Sequence, residues 1–208
     1  MRNIQEKWLS RLGTAPVSIE VIKDALRSYS QPLFKIHRLE KEGVLIRLKR
    51  GLYCVNADSV RSLANLGAVA NNLYDGASYV SMESALSHYG LIPERVMGTT
   101  SAVTGRSIRF ETPLGWFSYR RIPEDLFGIG VRSVDGYLIA SPEKALCDYL
   151  FTRRNLRISS PKSLAAYLEE DVRFDFDSFA NPDKSVFESY AGRGHKVALF
   201  RAVERLFA

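Results

Sequence analysis

The chain has 208 residues, 46% of them hydrophobic and 25% charged. That suits one large globular domain or two small ones, and excludes disorder, a collagen-like chain and a disulfide scaffold. No run approaches the ~20 consecutive apolar residues that span a bilayer. The opening, Met1-Arg2-Asn3-Ile4-Gln5-Glu6-Lys7, lacks the apolar core of a secretory signal. Cys54 and Cys147 make neither a metal nest nor a C-x-x-C pair. A cytoplasmic location is expected, with no membrane partner and no cofactor.

The net charge of +6 is unevenly placed. Residues 1–55 hold 11 Lys and Arg against 5 Asp and Glu, whereas residues 56–208 hold 18 of each. A basic head beside a neutral body is the pattern of a polyanion-binding module joined to a second function.

Ile4, Trp8, Leu9 and Leu12 recur at near-helical spacing and predict a short helix stopped by Gly13. Ser18 caps a second helix that turns Ile19, Ile22 and Leu26 inward. After the polar turn Ser28-Tyr29-Ser30, Ser30 is expected to cap a third helix, with Gln31 and Pro32 in its first turn. In that helix Leu33, Ile36 and Leu39 are expected inward, leaving Gln31, Lys35, Arg38 and Lys41 outward, and Gly43 closes it. Val44–Leu48 and Leu52–Val55 then read as a hairpin about Lys49-Arg50-Gly51, where Gly51 supplies the permissive backbone.

Three helices and a basic-tipped hairpin over residues 1–56 predict a winged helix-turn-helix. Gln31, Lys35 and Arg38, with Ser30 beside them, fall where a recognition helix meets base edges. Arg or Lys donates to guanine and Gln pairs with adenine. Arg47, Lys49 and Arg50 suit phosphates, which position without specifying.

Residues 57–208 predict helices over 62–74 and 79–90, then strands over 99–104, 106–111 and 115–122 with a turn at Pro113-Leu114-Gly115. Strands over 127–134 and 137–140 are parted by Asp135-Gly136. Ser141-Pro142-Glu143 opens a strong helix with Leu146, Tyr149, Leu150 and Phe151 inward, and helices follow over 163–170 and 196–207. The expected class is α+β, a winged helix-turn-helix followed by a mixed α/β C-terminal domain.

Little in the chain promises catalysis. His37, His88 and His195 are too scattered for a metal motif. Ser81, Ser84 and Ser87 beside His88 form a helical face with no strained nucleophile elbow. Gly128-x-Gly130 precedes strand-like residues, so it marks a bend or bulge instead of a phosphate loop. Arg193-Gly194-His195 reads as a loop between helices, and Glu83, Glu111, Glu143 and Lys144 lack a nuclease spacing. No catalytic or metal-binding residue is assigned, and the chain is expected not to be an enzyme. Arg106, Arg109, Arg120 and Arg121 form a second basic group. Strand alternation puts Arg109 and Arg120 on one exposed sheet face, suited to RNA, an acidic protein or a nucleotide, or else to simple solvation of strand edges.

Three segments carry a resemblance: Leu48-Lys49-Arg50-Gly51-Leu52-Tyr53, Ser81-Met82-Glu83-Ser84-Ala85-Leu86-Ser87-His88-Tyr89-Gly90-Leu91, and Ala140-Ser141-Pro142-Glu143-Lys144-Ala145-Leu146-Cys147-Asp148. In order and spacing they resemble the AbiEi family, the antitoxin and regulator partners of type IV toxin–antitoxin and abortive-infection systems. The resemblance implies a winged helix that binds inverted repeats in its own promoter and represses the operon. It also implies a C-terminal domain, residues 57–208, that counters a nucleotidyltransferase-type toxin, usually without a stable complex. The DNA-reading role maps to Gln31, Lys35, Arg38, Lys49 and Arg50, and no catalytic residue carries over.

Without coiled-coil heptads, a monomer or weak dimer pairing on DNA half-sites is expected. Two other classes stay open at this point. A ligand-sensing winged-helix regulator without an antitoxin role requires a concave apolar pocket, and a nuclease or nucleotide-modifying enzyme requires converging acids or nucleophiles.

Overall fold

A computed structural model describes residues 8–9, 12–13, 15–57, 63–93, 97–192 and 196–208. The protein is α+β, with helices around a mixed sheet. Of the first expected helix, Trp8, Leu9 and Leu12 are helical and pack on the N-terminal core, while Ile4 lies outside the described residues. Strand β1 (Val17–Ser18) leads into helix α1 (Ile19–Ala25), where the Ser18 hydroxyl accepts from the Val21 amide at 3.4 Å. That satisfies one of the amides a helix start leaves bare.

Helix α2 spans Pro32–Lys41, and two expectations about it are corrected. Its N-cap is Gln31, with no side-chain capping bond, so Ser30 is not the cap. Leu33 is not inward either: it is 59% exposed, whereas Ile36 and Leu39 are buried. Each three-residue step moves a side chain about 60° around a helix axis, so Leu33, Ile36 and Leu39 span about 120° and Leu33 falls at the edge of the buried stripe. Packing settled on Ile36 and Leu39, and Leu33 was left at the margin.

Strands β2 (Leu45–Lys49) and β3 (Leu52–Val55) form the expected hairpin, with Gly51 at φ 79°. The sequence did not reveal that β1 pairs with β3, making a three-stranded sheet in the order β1-β3-β2. Ile22, Leu26, Ile36, Leu39, Leu45 and Tyr53 make the small core of this module. The hairpin serves two cores, because Ile46, Leu48 and Cys54 join the larger cluster of the C-terminal body.

That body is built on a six-stranded sheet in the order β6-β7-β5-β4-β9-β8. Its strands are β4 (Ser78–Val80), β5 (Gly98–Val103), β6 (Ile108–Thr112), β7 (Gly115–Arg121), β8 (Val131–Val134) and β9 (Tyr137–Ala140). β4 pairs antiparallel with β5 and parallel with β9, and β5 pairs parallel with β7. The 79–90 helix is thereby corrected: Ser78–Val80 is a strand and only Met82–His88, helix α4, is helical. A central strand buried on both faces shows no alternation, so its sequence cannot be told from a buried helix. The 127–134 strand likewise begins only at Val131, after the one-turn helix α5 (Glu124–Phe127). The β8–β9 hairpin turns where expected, with Asp135 at φ 49° and Gly136 at φ 82°, the two positive values a tight hairpin needs.

Helix α3 (Leu63–Leu73) lies on one face of the sheet, where the Tyr119 hydroxyl donates to the Ala70 carbonyl at 2.7 Å. Helix α4 and helix α6 (Pro142–Thr152) lie on the other, where the Thr100 hydroxyl donates to the Ser81 carbonyl at 2.7 Å. Ser141 caps α6 as expected, accepting from the Lys144 amide. Helices α7 (Pro161–Glu170), α8 (Lys184–Ala191) and α9 (Val197–Leu206) pack outside α6. The sequence reading passed over α8, whose start the Asp183 carboxylate caps through the Ser185 amide at 3.0 Å.

Candidate nucleic-acid interface and a basic groove

The outward face of α2 carries Leu33, Phe34, His37, Arg38 and Lys41, all exposed. Phe34 is 67% exposed, and the sequence reading did not single it out. Arg38 lies on this face with its Nε 2.7 Å from Glu42. Lys35 is half-buried, its ammonium 5.8 Å from the Tyr29 ring centre, so it flanks the face instead of leading it. Ser30 and Gln31 are exposed just before the helix.

Arg47 and Arg50 from the hairpin meet α2 across a groove of about 340 Å³ that Leu33, His37 and Glu40 also line. Helix and hairpin thus offer one continuous surface, with apolar side chains at one margin and guanidinium groups at the other. Lys49 is turned elsewhere. Its ammonium sits 2.5 Å from Asp75 of the larger body and 5.9 Å from the Phe110 ring, so it ties the hairpin to that body.

The second basic group is divided by the fold. Arg109 and Arg120 line a groove of about 650 Å³, whereas Arg106 and Arg121 are exposed away from it. The register explains the division. Arg109 pairs with Ser118 and Thr100 pairs with Ser118, so Arg109, Ser118, Arg120 and Trp116 share the face that α4 covers farther along the sheet. Helix α4 ends its cover at β5, leaving β7 and β6 open beside it. Thr152, Arg153 and Arg154, where α6 ends, and Met82 and Glu83, where α4 begins, form the opposite wall. Sequence reasoning missed Arg153 and Arg154, which are distant in sequence and lie in a polar stretch without periodicity.

Lys144, from the third resemblance segment, is completely buried on α6 with Asp148 one turn later, 3.0 Å apart. Lys144 also donates to the Leu126 carbonyl at 2.8 Å and to the Tyr190 hydroxyl, which in turn donates to Asp148. Tyr79 and Ser81 donate to the other carboxylate oxygen at 2.9 and 2.7 Å. Burial, with the Asp148 charge behind it, pushes the Tyr79 and Tyr190 phenols well above their usual range, so both stay protonated donors. A pair closed to solvent with every lone pair used is a structural device. It joins α6 to β4 and α8.

Of the serines expected beside His88, Ser81 donates to Asp148 and Ser84 bonds with Thr100, and among the described residues His88 Nδ1 has no hydrogen-bond partner. Glu83 pairs with Arg153, Glu111 with Arg109, and Glu143 accepts from the Asp183 amide. Among the described residues no group of three His, Cys, Asp or Glu is placed to hold a metal ion. Burial pushes the Cys54 thiol up to about 11 and raises that of Cys147, which makes both poor nucleophiles. The Arg193–His195 turn lies outside the described residues. Among the described residues no helix is long and apolar enough to cross a membrane. No protein-family model matches the chain, and no curated protein matches it.

Proposed function

We propose that the chain is a sequence-specific DNA-binding autorepressor and the antitoxin of a type IV toxin–antitoxin system, as its resemblance to AbiEi proteins implies. Residues 1–56 act as a winged helix-turn-helix, with α2 as the recognition helix and β2–β3 as the wing. One observation carries this reading: α2 leaves Leu33 and Phe34 in solvent beside Arg38 and Lys41, next to the Arg47–Arg50 groove. Large apolar side chains among cations on one helix face suit a major groove, where thymine methyl groups alternate with acceptors. Arg38 reads a base edge, Leu33 and Phe34 meet thymine methyls, and Arg47 and Arg50 hold phosphates.

Titration against the chain's own upstream DNA and a scrambled duplex, at two salt concentrations, tests this function. A preference for the upstream duplex that survives the higher salt is expected. Equal, salt-sensitive binding to both would reduce the module to a non-specific basic patch. The antitoxin role predicts that co-expression relieves the toxicity of a nucleotidyltransferase-type protein encoded beside it, and that residues 57–208 are needed for the relief.

A further inference from the structure

We propose that the arginine-lined groove of the larger body binds a nucleoside polyphosphate. This site does not rest on DNA recognition by α2. Arg109, Arg120, Arg153 and Arg154 line it, against Glu83 as the carboxylate among its lining residues. Two of the four are held in place. Arg109 lies 4.6 Å over the Trp116 ring with Nε 2.7 Å from Glu111, and Arg153 lies 4.4 Å over Tyr149 with Nη2 2.8 Å from Glu83. The other two, Arg120 and Arg154, are exposed and have no ion-pair partner among the described residues. Guanidinium groups match phosphate oxygens in bidentate geometry, and those already ordered lose little freedom on binding.

Ser118 supplies an independent observation. It is only 8% exposed, lies across from Arg109, lines the groove, and has no side-chain partner among the described residues. The hydroxyl is not shut off from solvent and opens on the groove, where it can donate to or accept from a polar ligand.

Size and shape select the class. A volume of about 650 Å³ falls in the range of small-ligand sites and is enclosed on two sides by sheet and helices. The Trp116 indole lies flat on Gly98, where an added Cβ would stand 2.2 Å from its Cδ2, and it carries the Arg109 guanidinium. With Gly98 on one side of the indole and Arg109 on the other, the outer face of the guanidinium plane is what remains for a nucleobase to stack on, and Arg120, Arg153 and Arg154 line the same groove.

Calorimetric titration of the full chain with ATP tests the proposal, alongside tripolyphosphate, a short single-stranded RNA and the upstream duplex. Saturable ATP binding is expected, weakened about tenfold by Arg120→Ala or Arg154→Ala and unchanged by Arg106→Ala. Thermal melting of each variant checks that it folds. Tripolyphosphate should bind about tenfold more weakly than ATP, because it cannot stack. The assignment is overturned by absent ATP binding at millimolar concentration, by ATP affinity indifferent to the groove variants, or by equal binding of tripolyphosphate. RNA displacing ATP at lower concentration, or duplex affinity falling in step with ATP affinity, also overturns it, since the groove would then belong to a nucleic-acid face. Retained duplex binding with ATP binding lost separates this site from the α2 interface, so each can fail alone.

Discussion

The two bodies hold different exceptions to the rule of apolar inside and charge outside. The N-terminal module holds Leu33 and Phe34 in solvent at 59% and 67% exposure, while the C-terminal body buries Lys144 and Asp148 completely. The buried charges are explained within the molecule, because Leu126, Tyr79, Ser81 and Tyr190 satisfy them. The exposed apolar side chains on α2 find no such account inside the fold. Local satisfaction separates the two kinds of exception.

The largest effect should come from breaking the buried pair. Asp148→Ala strands the Lys144 ammonium in the core and should cost about 3–5 kcal/mol, read as a shifted midpoint in urea unfolding. The joint replacement Lys144→Met with Asp148→Leu removes the stranded charge but leaves the Tyr79, Ser81 and Tyr190 hydroxyls without their acceptor, so it should recover only part of that loss. Full recovery would show that the hydroxyl bonds to Asp148 add nothing to stability.

Tyr79→Phe removes a hydrogen bond to a charged carboxylate and should cost about 1.5–3 kcal/mol at neutral pH. It should also change the alkaline limb. Folded Tyr79 holds its proton above the ordinary phenol value of 10.0, so the unfolded chain releases protons first as pH rises past that value. Stability therefore falls above pH 10.0 in the parent and falls less in the variant, as equilibrium unfolding across pH would show.

On the other side of the contrast, Arg38→Ala should lose about 1–3 kcal/mol of operator affinity and relax specificity at one base position, with folding unchanged. Deoxyuridine in place of a contacted thymidine should cost about 0.8 kcal/mol in the parent and nothing in Phe34→Ala. An equal penalty in both proteins would take the thymine contact away from Phe34. The smallest effect compares neighbours: Arg50→Ala should lower the salt slope of duplex binding by about one, whereas Lys49→Ala should leave it unchanged, since Asp75 already holds that ammonium.

Much of the fold was legible because local chemistry decided it. Ser18 and Ser141 cap helices as read, Asp135-Gly136 turns a hairpin, and Gly51 turns another. Each depends on a side chain or dihedral within a few residues of the feature. The Arg109–Arg120 face was legible too, since strand alternation places residues independently of what packs nearby.

What the sequence by itself determined about this protein, then, was its division into a basic head and a neutral body, most of its elements, and the chemistry on its strand faces. Only the tertiary structure decided that Leu33 points out, that Ser78–Val80 is a strand, and that Lys49 pairs with Asp75 of the larger body. It alone brought Arg153 and Arg154 to Arg109 and Arg120. The physical reason is common to all of these. Which of several apolar residues is buried, and which cations stay open, depends on surfaces contributed by distant segments, and no local pattern encodes them.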